Sequence, residues 1–265
     1  MFVFPNPPPA VAFSLGPLDV RWYGLMYLLG LLVAWQGLRW TSTHRAHIKI
    51  SHEEIDDLIF YCAVGLIVGG RVGYMIFYGF DMLARDPLAM FKVWQGGMSF
   101  HGGLLGGIIG LYLFSKKMAI PAILIFDFVA PWVPPGLFFG RIGNFLNGEL
   151  WGAVASENIW WAVVVNGMPR HPSQLYEAVL EGAILFSLLQ FLTRRDRPKY
   201  FISGCFLLGY AVARMSVEFV RLPDIHLNPS TGGYLAFDWL TMGQALSLPM
   251  AVVGIIMIYY SAKLR

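Results

Sequence analysis

Seven apolar blocks, each near the length of a bilayer-spanning helix, run through this 265-residue chain and limit the folds open to it. A spanning helix needs about 20 predominantly apolar residues, because in hydrocarbon a segment must satisfy its own backbone polar groups. The blocks are Trp22–Trp40, Leu58–Tyr78, Met98–Phe114, Ile123–Leu146, Leu175–Leu192, Ile202–Val220 and Met242–Tyr260. The expected fold is an all-α integral membrane protein with seven transmembrane helices, a single polytopic domain over residues 1–265. Composition agrees. Of all residues 57% are hydrophobic and 13% charged, against about 25% charged in an average soluble domain. A soluble domain built this way would expose large apolar patches.

The loops predict orientation, since Lys and Arg accumulate on the cytoplasmic side. One set of alternate loops holds Arg39, Arg45, Lys49, Lys116, Lys117, Arg194, Arg195, Arg197, Lys199, Lys263 and Arg265. The opposite set holds Arg85, Lys92, Arg170 and Arg221. The N-terminus is therefore expected outside and the C-terminus in the cytoplasm, with a small external loop region that includes Ala153–Arg170. Met1–Val20 has neither the basic start nor the small-residue cleavage site of a signal peptide, so it reads as an uncleaved external segment. Pro7, Pro8 and Pro9 make that segment irregular rather than helical. Cys62 and Cys205 lie inside apolar blocks and read as small buried hydrophobes. His44, His47 and His52 read as a solvated loop cluster, so neither a metal nor a cofactor is expected. The net charge of +3 comes from the cytoplasmic anchors and implies no nucleic-acid partner.

Orientation then sorts the polar intruders by depth. Tyr23, Arg71, His101, Arg141, Asn144, Asn147, Arg214, Glu218 and Arg221 all fall at the outer ends of their spans. An arginine deep in a span costs about 2.5–3.5 kcal/mol on insertion scales, so several unpaired ones would cost on the order of 10 kcal/mol, as much as a whole domain's stability. Such residues must face a watery cavity, pair with acids or meet an anion. Arg214, Glu218 and Arg221 share one helical face, as do Arg141 and Asn144. Glu177 and Glu181 can neutralise two arginines, which leaves at least one or two cations for an anion. Pro131, Pro134 and Pro135 are expected to kink or break the fourth span. Gly106 and Gly110 suit helix packing; Gly102 and Gly103, beside His101, suit either packing or close approach of a substrate. The pattern G-R-x-G occurs twice, around Arg71 and around Arg141. Arginines suit a phosphate, which they grip bidentately, and a nearby histidine suits proton transfer near neutral pH. In a bilayer the commonest phosphate is a lipid head group.

The strip Gly140-Arg141-Ile142-Gly143-Asn144-Phe145-Leu146-Asn147-Gly148-Glu149-Leu150-Trp151-Gly152 closely resembles the signature of the prolipoprotein diacylglyceryl transferases. The resemblance extends in order over nearly the whole chain. It takes in Trp22-Tyr23-Gly24-Leu25, Gly69-Gly70-Arg71-Val72-Gly73-Tyr74 and Gly96-Gly97-Met98-Ser99-Phe100-His101-Gly102-Gly103. It continues through His171-Pro172-Ser173-Gln174-Leu175-Tyr176-Glu177, the Gly209-Tyr210…Arg214…Glu218-Phe219…Arg221 face and Met242-Gly243-Gln244. The resemblance implies transfer of the diacylglyceryl group of phosphatidylglycerol to the lipobox cysteine of a prolipoprotein, releasing glycerol 1-phosphate. It also implies a bacterial inner membrane protein with its active site toward the outer leaflet and periplasm. On those residues His101 is the candidate base, and Arg141 and Arg214 the candidate groups stabilising the leaving phosphate. Tyr23 and Asn144 are expected to bind the head group, with Arg141 as its main anchor. Glu149, Tyr210, Glu218 and Arg221 are expected to support these groups, and Gly152 to permit a tight turn. The alternative is a transporter or flippase of an anionic lipid or solute, which also uses broken helices and buried arginines.

Overall fold

In the computed structural model the described residues are 2–5, 11–16, 18–45, 49–156, 158–222, 234–235 and 239–264. Pro7, Pro8, Pro9, His47 and Arg265 lie outside them. The chain is mostly helical. Helices α1 (Trp22–His44), α2 (His52–Phe77), α3 (Phe80–Arg85) and α4 (Phe100–Lys117) are followed by α5 (Ala122–Val129) and α6 (Val133–Leu146). Then come α7 (Ser173–Glu177), a π-helical turn (Ala178–Ile184) and α8 (Leu185–Leu192), with α9 (Phe201–Glu218) and α10 (Met242–Lys263) closing the chain. Two small sheets accompany them. Strand β1 (Phe2–Val3) pairs in parallel with β4 (Val163–Val165), which pairs antiparallel with β5 (Met168–Arg170); β2 (Val11–Leu15) and β3 (Leu18–Arg21) form a hairpin.

Among the described residues, five helical segments are long and apolar enough to cross a membrane: His52–Phe77, Ala122–Leu146, Ser173–Leu192, Phe201–Glu218 and Met242–Lys263. Helices α1 and α4 have the length, but Gln36 and Arg39 in the first, and five glycines and two lysines in the second, dilute their apolar character. The outward faces carry large apolar side chains, for example Val252, Val253, Ile255 and Ile256 of α10, as lipid contact requires. Helix starts are set by capping chemistry. Ser51 and Glu54 form a capping box ahead of α2, and Thr241 and Gln244 form another ahead of α10, each satisfying orphan N–H groups. The expected break in the fourth span is a 3₁₀ turn, Ala130–Trp132, centred on Pro131.

The chain forms two compact units, Met1–Gly37 with Val129–Arg265, and Leu38–Phe128. In the second unit α2 and α4 pack backbone to backbone. A Cβ on Gly69 would strike the carbonyl of Gly102, one on Gly106 that of Gly65, and one on Gly110 that of Tyr61. Small residues let such helices touch where no hydrophobic force drives them together. Gly102 therefore serves packing rather than substrate approach: its own Cβ would meet the Gly69 carbonyl and, at 3.0 Å, the Cα of Gly73. In the first unit, a core of Ala130, Leu185, Leu189 and Ile202 sits between α8, α9 and the 3₁₀ turn. There α1 lies on α6, with Gly30 against Gly136 and the Tyr23 ring against Gly143. Phe4 packs edge-on against Phe145 and Trp151, at 5.5 and 4.9 Å between centroids, and so ties the N-terminal strand to the end of α6.

Candidate active site

Three segments of the first unit bring a set of ionised side chains together. Helix α6 supplies Arg141, the α7–π segment Glu177 and Glu181, and α9 with the residues just after it Arg214, Glu218 and Arg221. Both Glu177 and Glu181 are fully buried. Glu177 is the hub: its Oε2 lies 3.1 Å from Arg141 Nη1, and its Oε1 accepts from Arg214 Nη1 at 2.8 Å and from Arg221 Nη1 at 2.9 Å. Arg141 Nη2 donates to Glu181 Oε2 at 3.2 Å. Arg214 also pairs with Glu218, one turn along the same helix, and Arg221 Nε stands 3.8 Å from Glu218 Oε1. Tyr210, a turn before Arg214, lies among the charges of Glu181, Arg141, Arg214 and Glu177.

This arrangement corrects one expectation. Three arginines meet three glutamates, so the cluster is balanced rather than left with cations to spare. Arg71, in the other unit, is no spare cation for an anion either. It is buried, and its guanidinium donates to the carbonyls of Ala89, Met90, Lys92, Gly96 and Gly97. A fully delocalised five-donor cation suits that job. The balanced cluster still presents an accessible cation, because Arg141 is the most exposed of its six side chains, at 18%. The attraction between these paired charges offsets the cost of burying them, and the pairing fixes the guanidinium groups in place, as electrostatic catalysis requires.

The support comes from two sides. At the end of α6, Asn144 Nδ2 and Asn147 Nδ2 donate to Glu149 at 3.4 and 2.9 Å, and Gln174 donates to the Glu149 carbonyl. Ser173 holds the carbonyl of Leu150 at 2.8 Å. At the start of α10, Thr241 Oγ1 donates to Glu218 Oε2 at 2.5 Å, while a Cβ on Gly243 would collide with the Glu218 carboxylate and come within 2.9 Å of Arg214 Nη2. Gly152 makes no left-handed turn. The positive φ values nearby belong to Gly148 (70°) and Leu150 (59°). Gly152 instead lets two strands of chain touch: it bridges to Arg221, its N–H donates to the His171 carbonyl at 2.9 Å, and a Cβ there would come within 2.6 Å of the Val220 carbonyl. Tyr23 Oη lies 3.2 Å from Tyr27 Oη.

Of the sequence-predicted residues, Arg141, Tyr210, Arg214, Glu218 and Arg221 thus share one cluster. Asn144 and Glu149 form a second pair at the end of the same helix as Arg141. His101 belongs to the other unit, exposed in the first turn of α4, which Ser99 caps through the N–H of Gly102. Glu177 and Glu181 did not stand among the expected site residues, although two acids four apart in an apolar span were the signal. Gly243 stood within the Met242-Gly243-Gln244 segment of the family resemblance but with no role attached, and Thr241 carried no signal, since their roles depend on where α10 begins. Among the described residues no group of His, Cys, Asp or Glu could hold a metal ion.

The sequence profile of the family described as prolipoprotein diacylglyceryl transferase matches residues 10–260. The chain belongs to that family. Among similar transferases, that of Methylococcus capsulatus is 49% identical over 261 residues, covering 97% of each chain. That of Chromohalobacter salexigens is 50% identical over 267 residues, covering 99% of this chain and 96% of its own. That of Legionella pneumophila strain Lens is 49% identical over 258 residues, covering 96% and 97%. Each is named a phosphatidylglycerol–prolipoprotein diacylglyceryl transferase. The family match spans both units and takes in every candidate transferase residue, from Tyr23 to Arg221.

Proposed function

We propose that this chain transfers the diacylglyceryl group of phosphatidylglycerol to the lipobox cysteine thiol of prolipoproteins in the bacterial inner membrane. In this reading the cysteine sulfur attacks the glycerol carbon that bears the phosphate ester. The C–S bond forms as the C–O bond breaks, and the electron pair leaves on glycerol 1-phosphate. Charge therefore builds on phosphate oxygens, where a fixed guanidinium contributes most. Arg141 is the phosphate anchor and Arg214 the second stabilising cation, both held by the glutamates around them. Asn144 and Tyr23 bind the head group. A thiol with an ordinary pKa near 8.5 reacts only once deprotonated, and His101 is the proposed acceptor of its proton. Glu149, Tyr210, Glu218 and Arg221 keep the cations in place.

The observation that carries this reading is the partly exposed Arg141 on a buried, charge-balanced scaffold, in a chain about half identical to transferases named for this reaction. Seven spans, an external N-terminus and a site open to the outer leaflet complete the proposal, supported by the distribution of Lys and Arg. The transporter alternative draws no support from the family or its relatives. Incubating the purified protein with phosphatidylglycerol and a lipobox peptide tests the reaction. The peptide mass should rise by one diacylglyceryl group; an unchanged mass with folded protein rejects the proposal.

A further inference from the structure

Three carboxylate oxygens of the cluster, Glu177 Oε2, Glu181 Oε1 and Glu218 Oε1, are buried without a hydrogen bond among the described residues, and of these Glu181 Oε1 is the one with no arginine in ion-pair reach. Glu181 is fully buried, and its Oε2 accepts from Arg141 at 3.2 Å, but its Oε1 is buried with no hydrogen-bond partner among the described residues. The other two carboxylates of the cluster differ. Both oxygens of Glu177 face arginines within 3.1 Å, and Glu218 is held by Arg214, Arg221 and Thr241. A carboxylate oxygen sealed from water without a donor is costly, and nearly every buried polar group in a folded protein has a partner. An ionised carboxylate, unlike an amide, offers acceptors on both oxygens, so no flipped assignment turns the bare oxygen into a donor.

Resting on the proposed transferase reaction, we infer that Glu181 is the residue that selects the lipid head group, its Oε1 accepting a hydrogen bond from a head-group glycerol hydroxyl while Arg141 holds the adjacent phosphate. The chemistry matches. Phosphatidylglycerol presents an anionic phosphate and, three and four bonds from its head-group ester oxygen, hydroxyl donors. The Arg141–Glu181 pair presents a cation and, on the same carboxylate, a bare acceptor. Arg141 is the partly exposed member of the pair, and the proposal places the lipid phosphate on the arginine's side of it. A site built around a buried acceptor rejects a ligand that lacks the hydroxyl, because binding then leaves the oxygen unpaired.

The test compares two lipids on the intact enzyme: phosphatidylglycerol and phosphatidylpropanol of the same acyl chains, whose head group has no hydroxyl. Both leaving groups are monoalkyl phosphates, so the chemical step is nearly the same and the ratio of their kcat/KM values reports head-group recognition. The wild-type enzyme is expected to favour phosphatidylglycerol by about tenfold to a hundredfold, the range of a hydrogen bond to a charged group. In Glu181→Leu the ratio should fall to near unity; in Glu181→Gln, which keeps an acceptor but loses the charge, it should take an intermediate value. A merely structural glutamate would lower both rates together and leave the ratio intact. That result, or a wild-type ratio near unity, overturns the inference. Should the Leu variant fail to fold, the ratio in the Gln variant decides alone. Failure of the reaction itself looks different: wild-type enzyme would modify the peptide with neither lipid.

Discussion

Two arginines in the same G-R-x-G setting do different work, and their neighbours explain why. Arg71 answers backbone carbonyls; Arg141 answers carboxylates. Replacing Arg71 by Ala removes the donor from five backbone carbonyls, of which the bond to Ala89 is buried, and an unsatisfied buried acceptor costs about 1–3 kcal/mol. The expected outcome is a protein that melts several degrees lower, with the KM for phosphatidylglycerol unchanged in whatever folds; a thermal melt beside initial rates checks both. Arg141→Lys keeps the charge but replaces a planar fork by a point charge, which cannot bridge Glu177 and Glu181 together. Its kcat should fall by about a hundredfold to a thousandfold, the cost of losing one fixed donor to a developing anion. Wild-type kcat in Arg141→Lys would remove Arg141 from the proposed chemistry. Glu177→Gln should be worse for stability than Glu218→Gln, because Glu177 alone serves three arginines, and removing one partner of a buried ion pair costs about 3–5 kcal/mol. Denaturation of the two variants in parallel settles their order.

At the scale of elements, the π-helical turn is the feature that places both acids on Arg141. Glu177 ends α7 and Glu181 lies within the turn, and such turns interrupt helices most often at functional sites. Deleting Leu180 restores ordinary helix and rotates the two acids relative to one another by about 100°. The deletion should preserve helical content by circular dichroism yet cost about a hundredfold or more in rate, since misplacement by an ångström is enough for that. Periodicity revealed an apolar span there but not its winding, because the turn changes which residues line up without changing which are apolar. The same limit explains Gly243 and Thr241. Their contacts with Glu218 arise where α10 docks against α9, and no local pattern records docking. The kink at Pro131 was legible because proline acts locally, and so were the two glutamates as an anomaly, since charge in an apolar span needs a partner. Counting charges went astray for a physical reason as well: it allowed only ion pairs, whereas Arg71 is satisfied by carbonyls.

For the whole molecule, the number of spans and the sidedness of the loops are one question. Seven spans and five both put the termini on opposite sides, because both numbers are odd, and the proposed orientation has the N-terminus outside in either case. They differ only around α2. With α1 and α4 in the membrane, the segment at Lys49 is cytoplasmic and the segment at Arg85 external; without them the two exchange sides. Helix α1 extends about 34 Å and α4 about 27 Å at 1.5 Å per residue, close to the roughly 30 Å of hydrocarbon they would cross. The glycines of α4 are committed to close contact with α2, a helix apolar enough to span, and a partner packed along that length belongs at the same depth. Arg39, Arg45 and Lys49 together also favour the cytoplasmic side. Single cysteines at Lys49 and Arg85, in a chain with Cys62 and Cys205 replaced by Ala, distinguish the cases. A membrane-impermeant maleimide should label Arg85→Cys in cells whose inner membrane is intact, and Lys49→Cys only after permeabilisation. The reverse labelling would take α1 and α4 out of the bilayer. It would also place the connection from α2 to His101 on the cytoplasmic side, away from the outer leaflet where His101 is proposed to take the thiol proton.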